Sequence, residues 1–215
     1  ALNDVEGNWV YNLEISDLQG HGLKGPRVDL SQLNHLPGCI DVWEISWKEF
    51  CFRLPPLIIE EQLQGAAPHP EITVFVPFNE EGIDLMNAEF DRIHPIEDIG
   101  GGPVLFFPLN SKLITAPYLR LPEIERSFFL GLLRRADPPT QDRIAEQIND
   151  NESLYERILE VGGVRYLPDT LPENIDFWRH HFGAQWPELM KLKSRFDPDG
   201  ILTGSFGQYL VSSND

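Results

Sequence analysis

Apolar positions recur along this chain with two periods, and each period predicts an element. Trp9, Val10, Tyr11, Leu13 and Ile15 are β-formers in partial alternation, so residues 9–15 are predicted as a strand. Residues 40–45 give a second strand, and 72–76 a third that stops at Pro77. Residues 104–107 and the continuous apolar run 127–134 add two more, the latter expected at the centre of a sheet. A short last strand falls at 164–167. Helical spacing shows first in Trp47, Phe50, Cys51 and Leu54, a helix that Pro55 and Pro56 end. Asn79 caps a helix over 80–93, with Glu80 and Glu81 in its first turn and Ile83, Met86, Phe90 and Ile93 on its apolar face. Thr140 caps the longest helix, 141–161, whose stripe is Ile144, Ile148, Leu154, Ile158 and Val161 and whose stop is Gly162-Gly163. Shorter helices are predicted at 29–36, 172–182 and 186–196. Residues 17–28, 100–103, 111–125 and 197–200 read as loops or turns, and 55–70 predicts no element.

Strands and helices are mixed without regular βα repeats. That order predicts an α+β fold, a single antiparallel sheet flanked by helices. With no repeat, linker or low-complexity stretch, residues 1–215 read as one domain.

Charge narrows the partners. Acidic residues outnumber basic ones 34 to 17, for a net charge of -17. Nucleic acid and anionic membranes are bound through lysine and arginine, so both are excluded as expected partners. No apolar run approaches the length of a membrane helix. The two cysteines, Cys39 and Cys51, form no CxxC and read as free thiols of a reducing, cytoplasmic compartment. The chain enters its first predicted strand soon after Ala1 and shows no signal-peptide pattern, which suggests a piece of a longer polypeptide.

No complete catalytic motif stands out. Gly100-Gly101-Gly102 precedes a strand rather than a helix, so a turn is expected there and not a phosphate cradle. Asp197-Pro198-Asp199-Gly200 lacks the remaining acidic ligands of a calcium loop and reads as a helix-ending turn. His180 and His181 are adjacent, so on a helix they point about 100° apart and make a poor metal pair. No metal site is expected. Glu6 and Glu14 flank the first predicted strand and read as solvated edge residues.

Four segments, in order along the chain, resemble the cytokinin dehydrogenases, flavoproteins of the vanillyl-alcohol oxidase superfamily. The most specific joins Trp178, His180-His181-Phe182-Gly183, Trp186, Leu189, Leu192-Lys193, Phe196-Asp197-Pro198 and Ile201-Leu202. The others are His69-Pro70 with Phe75-Val76-Pro77, Gly102-Pro103 with Pro108-Leu109-Asn110, and Val164-Arg165-Tyr166-Leu167. The resemblance is to the C-terminal, substrate-binding half of that family. It implies an FAD-dependent oxidoreductase that oxidises a small apolar amine, a cytokinin, by hydride transfer to the flavin and so cleaves its side chain. It also implies that FAD is bound mainly by a domain N-terminal to this chain, which would leave this piece inactive alone. An FAD-linked oxidase for another small substrate, and a stand-alone binding module without flavin, are the alternatives. By resemblance the pocket residues are Leu54, Thr73, Pro103, Leu133, Tyr166 and Leu167, and Gln208 is the cofactor-contacting residue. Thr73 replaces an asparagine of plant members, Glu71 replaces a tryptophan near the pocket mouth, and His180 stands where an arginine is usual. Val5-Glu6-Gly7 repeats the letters around a family glutamate, but the strand alignment places that glutamate upstream of this chain. Glu6 is therefore only a weak catalytic candidate.

Overall fold

A computed structural model describes residues 2–3, 9–10, 13–16, 35, 38–53, 67–167 and 174–202. The chain divides into two compact units, Leu2–Ala66 and Ala67–Asp215.

In the first unit, β1 (Leu2–Asn3) and β2 (Trp9–Val10) form a short antiparallel pair, with Asn3 opposite Trp9. The predicted first strand is thus much shorter, since residues 13–16 have no regular structure. The predicted strand at 40–45 does not form either. Residues 40–45 are extended chain with Val42 and Trp43 exposed. A strand is stable only when its backbone groups are paired, and among the described residues this run has no pairing partner. Helix α1 (Trp47–Phe52) does form, because Ser46 and Glu49 make a reciprocal capping box at its start. Arg53 then ion-pairs with Glu14 and stacks over Phe50 at 3.9 Å. The predicted loop 17–28 and all of the helix 29–36 except His35 lie outside the described residues, as do Glu6 and Leu54.

The second unit is built on one four-stranded antiparallel sheet with flanking helices. Its strands are β3 (Ile72–Pro77), β4 (Val104–Asn110), β5 (Arg126–Leu132) and β6 (Val164–Arg165), in the order β4-β5-β3-β6. The apolar run predicted as central is β5, and it is interior. Alternation along each strand assigns Ile72, Val74, Val76, Val104, Leu130 and Leu132 to one side, where all are buried. Each such side chain contributes about 1.5–3 kcal/mol by leaving water.

Helices α2 (Glu80–Arg92) and α3 (Gln141–Glu160) cover that side. Phe90 of α2 meets Phe106 of β4 edge-on at 5.2 Å. Both caps are those expected, Asn79 and Thr140 accepting from the third helical residue. The buried stripes differ from the predicted ones. On α2, Ile83 is exposed and Gly82 is buried, because Gly82 lies over the Pro77 carbonyl; a Cβ there would sit 2.0 Å from that oxygen. On α3, the polar Gln147 and Asn151 are buried instead of Ile144. Helices α4 (Ile175–Phe182) and α5 (Trp186–Phe196) follow, with Trp178 and Phe182 fully buried. The glycine run at 100–102 is a turn: Gly100 has φ 71° and sits so close to Arg135 that a Cβ would lie 2.0 Å from its carbonyl. Asp197 ends α5, accepts from the Ile201 and Leu202 amides, and pairs with Lys193.

Candidate functional site

Strand alternation that sends half of the sheet against the helices sends the other half to the opposite side. The ladder register resolves this second side into three cross-strand rows. The middle row runs Leu105, Gly131, Thr73 and Tyr166, one residue from each strand or its end; the Tyr166 amide donates to the Thr73 carbonyl at 2.8 Å. The row on one side is Phe107, Phe129, Phe75 and Val164. On the other side Pro103 faces Leu133, whose amide donates to the Pro103 carbonyl at 3.2 Å, and the continued register brings Glu71 opposite Leu133. The register holds beyond β5, since Ala136 donates to Pro68 at 2.8 Å.

Rings dominate this face. Phe107 and Phe129 stack at 4.4 Å and 14°, while Phe75 meets Phe129 and Tyr166 edge-on at 5.6 and 5.5 Å. The face is open at its β4 side, where Phe107 is 45% and Leu105 39% exposed, and it closes towards β3, where Thr73 and Phe75 are buried. Gly131 puts no side chain into the middle row and is itself buried. A Cβ built there would touch Thr73 Oγ1 at 3.4 Å and Leu105 Cβ and a Phe129 ring carbon at 3.5 Å, ordinary contact distances. The polar groups in this part are the Thr73 hydroxyl, the Tyr166 hydroxyl, and Glu71, whose carboxylate lies 3.5 Å from His69 Nδ1. Such a surface suits a flat, apolar ligand with a few hydrogen-bonding edges.

Of the residues singled out in the sequence, Thr73, Pro103, Leu133 and Tyr166 come together on this face. Leu167, half-buried, lies in the turn after β6 and outside the rows. Leu54 and Gln208 lie outside the described residues. Sequence reading missed Leu105, Phe107, Phe129, Phe75 and Gly131. The signal was present, since each stands two or four residues from a residue that was named.

The opposite side of the sheet is ionic as well as apolar. Arg134, 1% exposed, donates to Asn151 at 2.7 Å and to the Asp98 carbonyl at 2.8 Å, and pairs with Asp150. Asp150 in turn accepts from Arg92 at 2.9 Å, and Glu89, also buried, joins Arg92 to Arg157. Burial pushes the Asp150 carboxyl up, but Arg134 and Arg92 together outweigh it and hold it below the ordinary carboxylate range. His181 is also buried, with neither ring nitrogen hydrogen-bonded. Burial lowers it to about 4, helped by the positive charges of Arg120, His180 and Arg165. A surface cavity of about 520 Å³ between Ser111 and Glu125 contains none of the candidate residues.

An FAD diphosphate needs converging backbone N–H groups, as at a glycine loop or helix start. The glycine run does not supply them, since Gly100 and Gly102 are packed against the Arg135 and Leu133 carbonyls. That glycine run therefore does not form a diphosphate cradle. None of their helices is long and apolar enough to cross a membrane.

Comparison with known proteins identifies the chain's relatives. A cytokinin dehydrogenase 5 of Oryza sativa subsp. japonica is 29% identical over 191 residues, 83% of this chain and 34% of its own. An uncharacterized oxidoreductase of the fasciation locus of Rhodococcoides fascians is 32% identical over 142 residues, 65% of this chain and 31% of its own. Cytokinin dehydrogenase 7 of the same rice is 25% identical over 215 residues, 97% of this chain and 39% of its own. The chain thus spans about a third of the length of the curated relatives it matches. A family model described as cytokinin dehydrogenase 1, FAD and cytokinin binding, matches residues 10–210, and the chain belongs to that family.

Proposed function

We propose that this chain is the substrate-binding part of an FAD-dependent amine oxidoreductase of the cytokinin dehydrogenase type. The observation that carries the reading is the open face of the sheet, where Thr73, Pro103, Leu133 and Tyr166 join a wall of stacked rings. That wall would hold a flat, apolar amine and exclude water from one side of it, while flavin chemistry does the oxidation. Family membership over residues 10–210 supports the same reading. FAD would be held mainly by polypeptide preceding this chain, with Gln208 reaching the cofactor; the packed glycine turn supports an assignment of the diphosphate elsewhere. Leu54 and Leu167 would complete the pocket, and Glu6 takes no assigned part. The chain alone would then bind ligand without turnover.

The test uses the complete polypeptide that contains this chain. Its visible flavin band is followed anaerobically during addition of isopentenyladenine. Bleaching at stoichiometric ligand is expected, and Phe107→Ala should weaken the response. A bound flavin that stays oxidised would refute the cytokinin assignment.

A further inference from the structure

Residues 111–125, which connect β4 to β5, border the surface cavity of about 520 Å³, within the ordinary range of small-molecule pockets. The connection is closed at its base, where the Ser111 amide donates to the Glu125 carbonyl at 2.8 Å and the Ser111 and Ser127 hydroxyls lie 2.8 Å apart. Gln185, in the turn between α4 and α5, pins it again: its Nε2 donates to the Pro117 carbonyl at 2.6 Å. Ile114, Leu119, Leu121 and Ile124 give the cavity half-buried apolar walls. The polar lining has unused capacity. Arg120 is half-buried, makes no ion pair with any described residue, and keeps its Nε buried without an acceptor. The bond to Pro117 orients the Gln185 amide and leaves Oε1 buried without a donor. Glu123 is exposed and also unpaired among the described residues, whereas Lys112 and Glu125 pair with each other at 3.0 Å.

A guanidinium without a partner is matched best by a carboxylate, and a buried carbonyl oxygen by an N–H donor. A carboxylate alone would leave Gln185 Oε1 and Glu123 unmatched, and an amine alone would leave Arg120 unmatched. A molecule with both groups and an apolar body uses the whole lining. We propose that this cavity is a second binding site, for a free α-amino acid with an apolar side chain. Arg120 holds its carboxylate, Gln185 Oε1 and Glu123 receive its ammonium group, and Ile114, Leu119, Leu121 and Ile124 take its side chain. The cavity shares no residue with the open face of the sheet, so the proposal does not depend on the substrate-binding reading.

The experiment titrates the complete polypeptide by NMR with three probes of one skeleton: L-phenylalanine, 3-phenylpropionate, which lacks the amine, and phenethylamine, which lacks the carboxylate. The native protein should bind phenylalanine about tenfold more tightly than either, the size of one charge-assisted hydrogen bond. Arg120→Gln should bring phenylalanine within about twofold of phenethylamine, and Arg120→Lys should keep part of the difference. Glu123→Gln should cost about threefold, since that carboxylate is exposed. An unchanged melting temperature of Arg120→Gln is the folding control. Excess isopentenyladenine should leave phenylalanine bound. Equal binding of the three probes, no binding of phenylalanine, or a preference that survives Arg120→Gln would overturn the proposal. Displacement of phenylalanine by isopentenyladenine would also overturn it, by assigning the amino acid to the open face of the sheet. A failure of isopentenyladenine to bind would count against the substrate-binding reading alone.

Discussion

The two sides of the sheet are made from alternate residues of the same strands, yet they do different work. The helix-covered side buries Ile72, Val74, Val76, Leu130 and Leu132, and locks Arg134 into a charge chain through Asp150, Arg92 and Glu89 to Arg157. The opposite side stacks Phe107 on Phe129 and leaves Phe107 and Leu105 exposed. The first side pairs its buried charges internally, which is where stability is gained. The second keeps apolar surface in reach of solvent, a cost that makes sense for a surface shaped to take a ligand. Substitutions on the two sides should therefore separate stability from binding.

Arg134→Ala should have the largest effect, leaving Asp150 and the Asp98 carbonyl without their buried partner. We expect a loss of about 3–5 kcal/mol, measured by chemical denaturation. A small loss would mean that the helix-covered side is not the stabilising one. His181 gives the next effect. Its folded value of about 4 lies below the ordinary histidine value, so the unfolded chain binds more protons between those pH values. Stability should therefore be full near pH 7 and fall as pH drops from about 6.5 towards 4, by about 3 kcal/mol once titration is complete. His181→Leu should flatten that part of the pH–stability curve, whereas a curve unchanged by the substitution would assign the acid sensitivity to other groups.

Phe107→Ala sharpens the contrast from the other side. It removes a half-exposed ring, so the melting temperature should barely move while ligand affinity falls about tenfold. A large stability loss with unchanged affinity would reverse the assignment of the two sides. Gly131→Ala should have the smallest effect. The added methyl meets only ordinary contacts, so folding should be unaffected within about 1 kcal/mol. It adds a side chain to the middle row of the face, and ligand should bind about fivefold more weakly, read in a ligand titration of the complete polypeptide.

Legibility varied along the chain for physical reasons. Strands 72–76 and 104–107, the central run 127–134 and the helices at 80–93 and 141–161 were readable, because local alternation, caps and glycine stops agree with the packing. The runs 9–15 and 40–45 carry the same β-rich composition, yet among their described residues only Trp9–Val10 is strand. A ladder needs a partner, and composition does not supply one. The buried stripe of α3 was misread because Gln147 and Asn151 are polar. They are buried because Asn151 bonds the Pro70 carbonyl and Arg134, and Gln147 the Asp98 carbonyl.

The candidate site divides the same way. Resemblance supplied Thr73, Pro103, Leu133 and Tyr166 as separate positions on separate segments. The sequence by itself determined which residues alternate and therefore which share a side within each strand, since the side-chain period of a strand is two. It could not determine the register between strands, which depends on turns, glycine contacts and helix packing acting together. Only the tertiary structure decided that Leu105, Gly131, Thr73 and Tyr166 form one row, that Phe107 and Phe129 wall it on one side, and that Pro103, Leu133 and Glu71 form the row on the other. A one-residue slip of β3 against β5 would have sent Thr73 to the helices and dispersed the site.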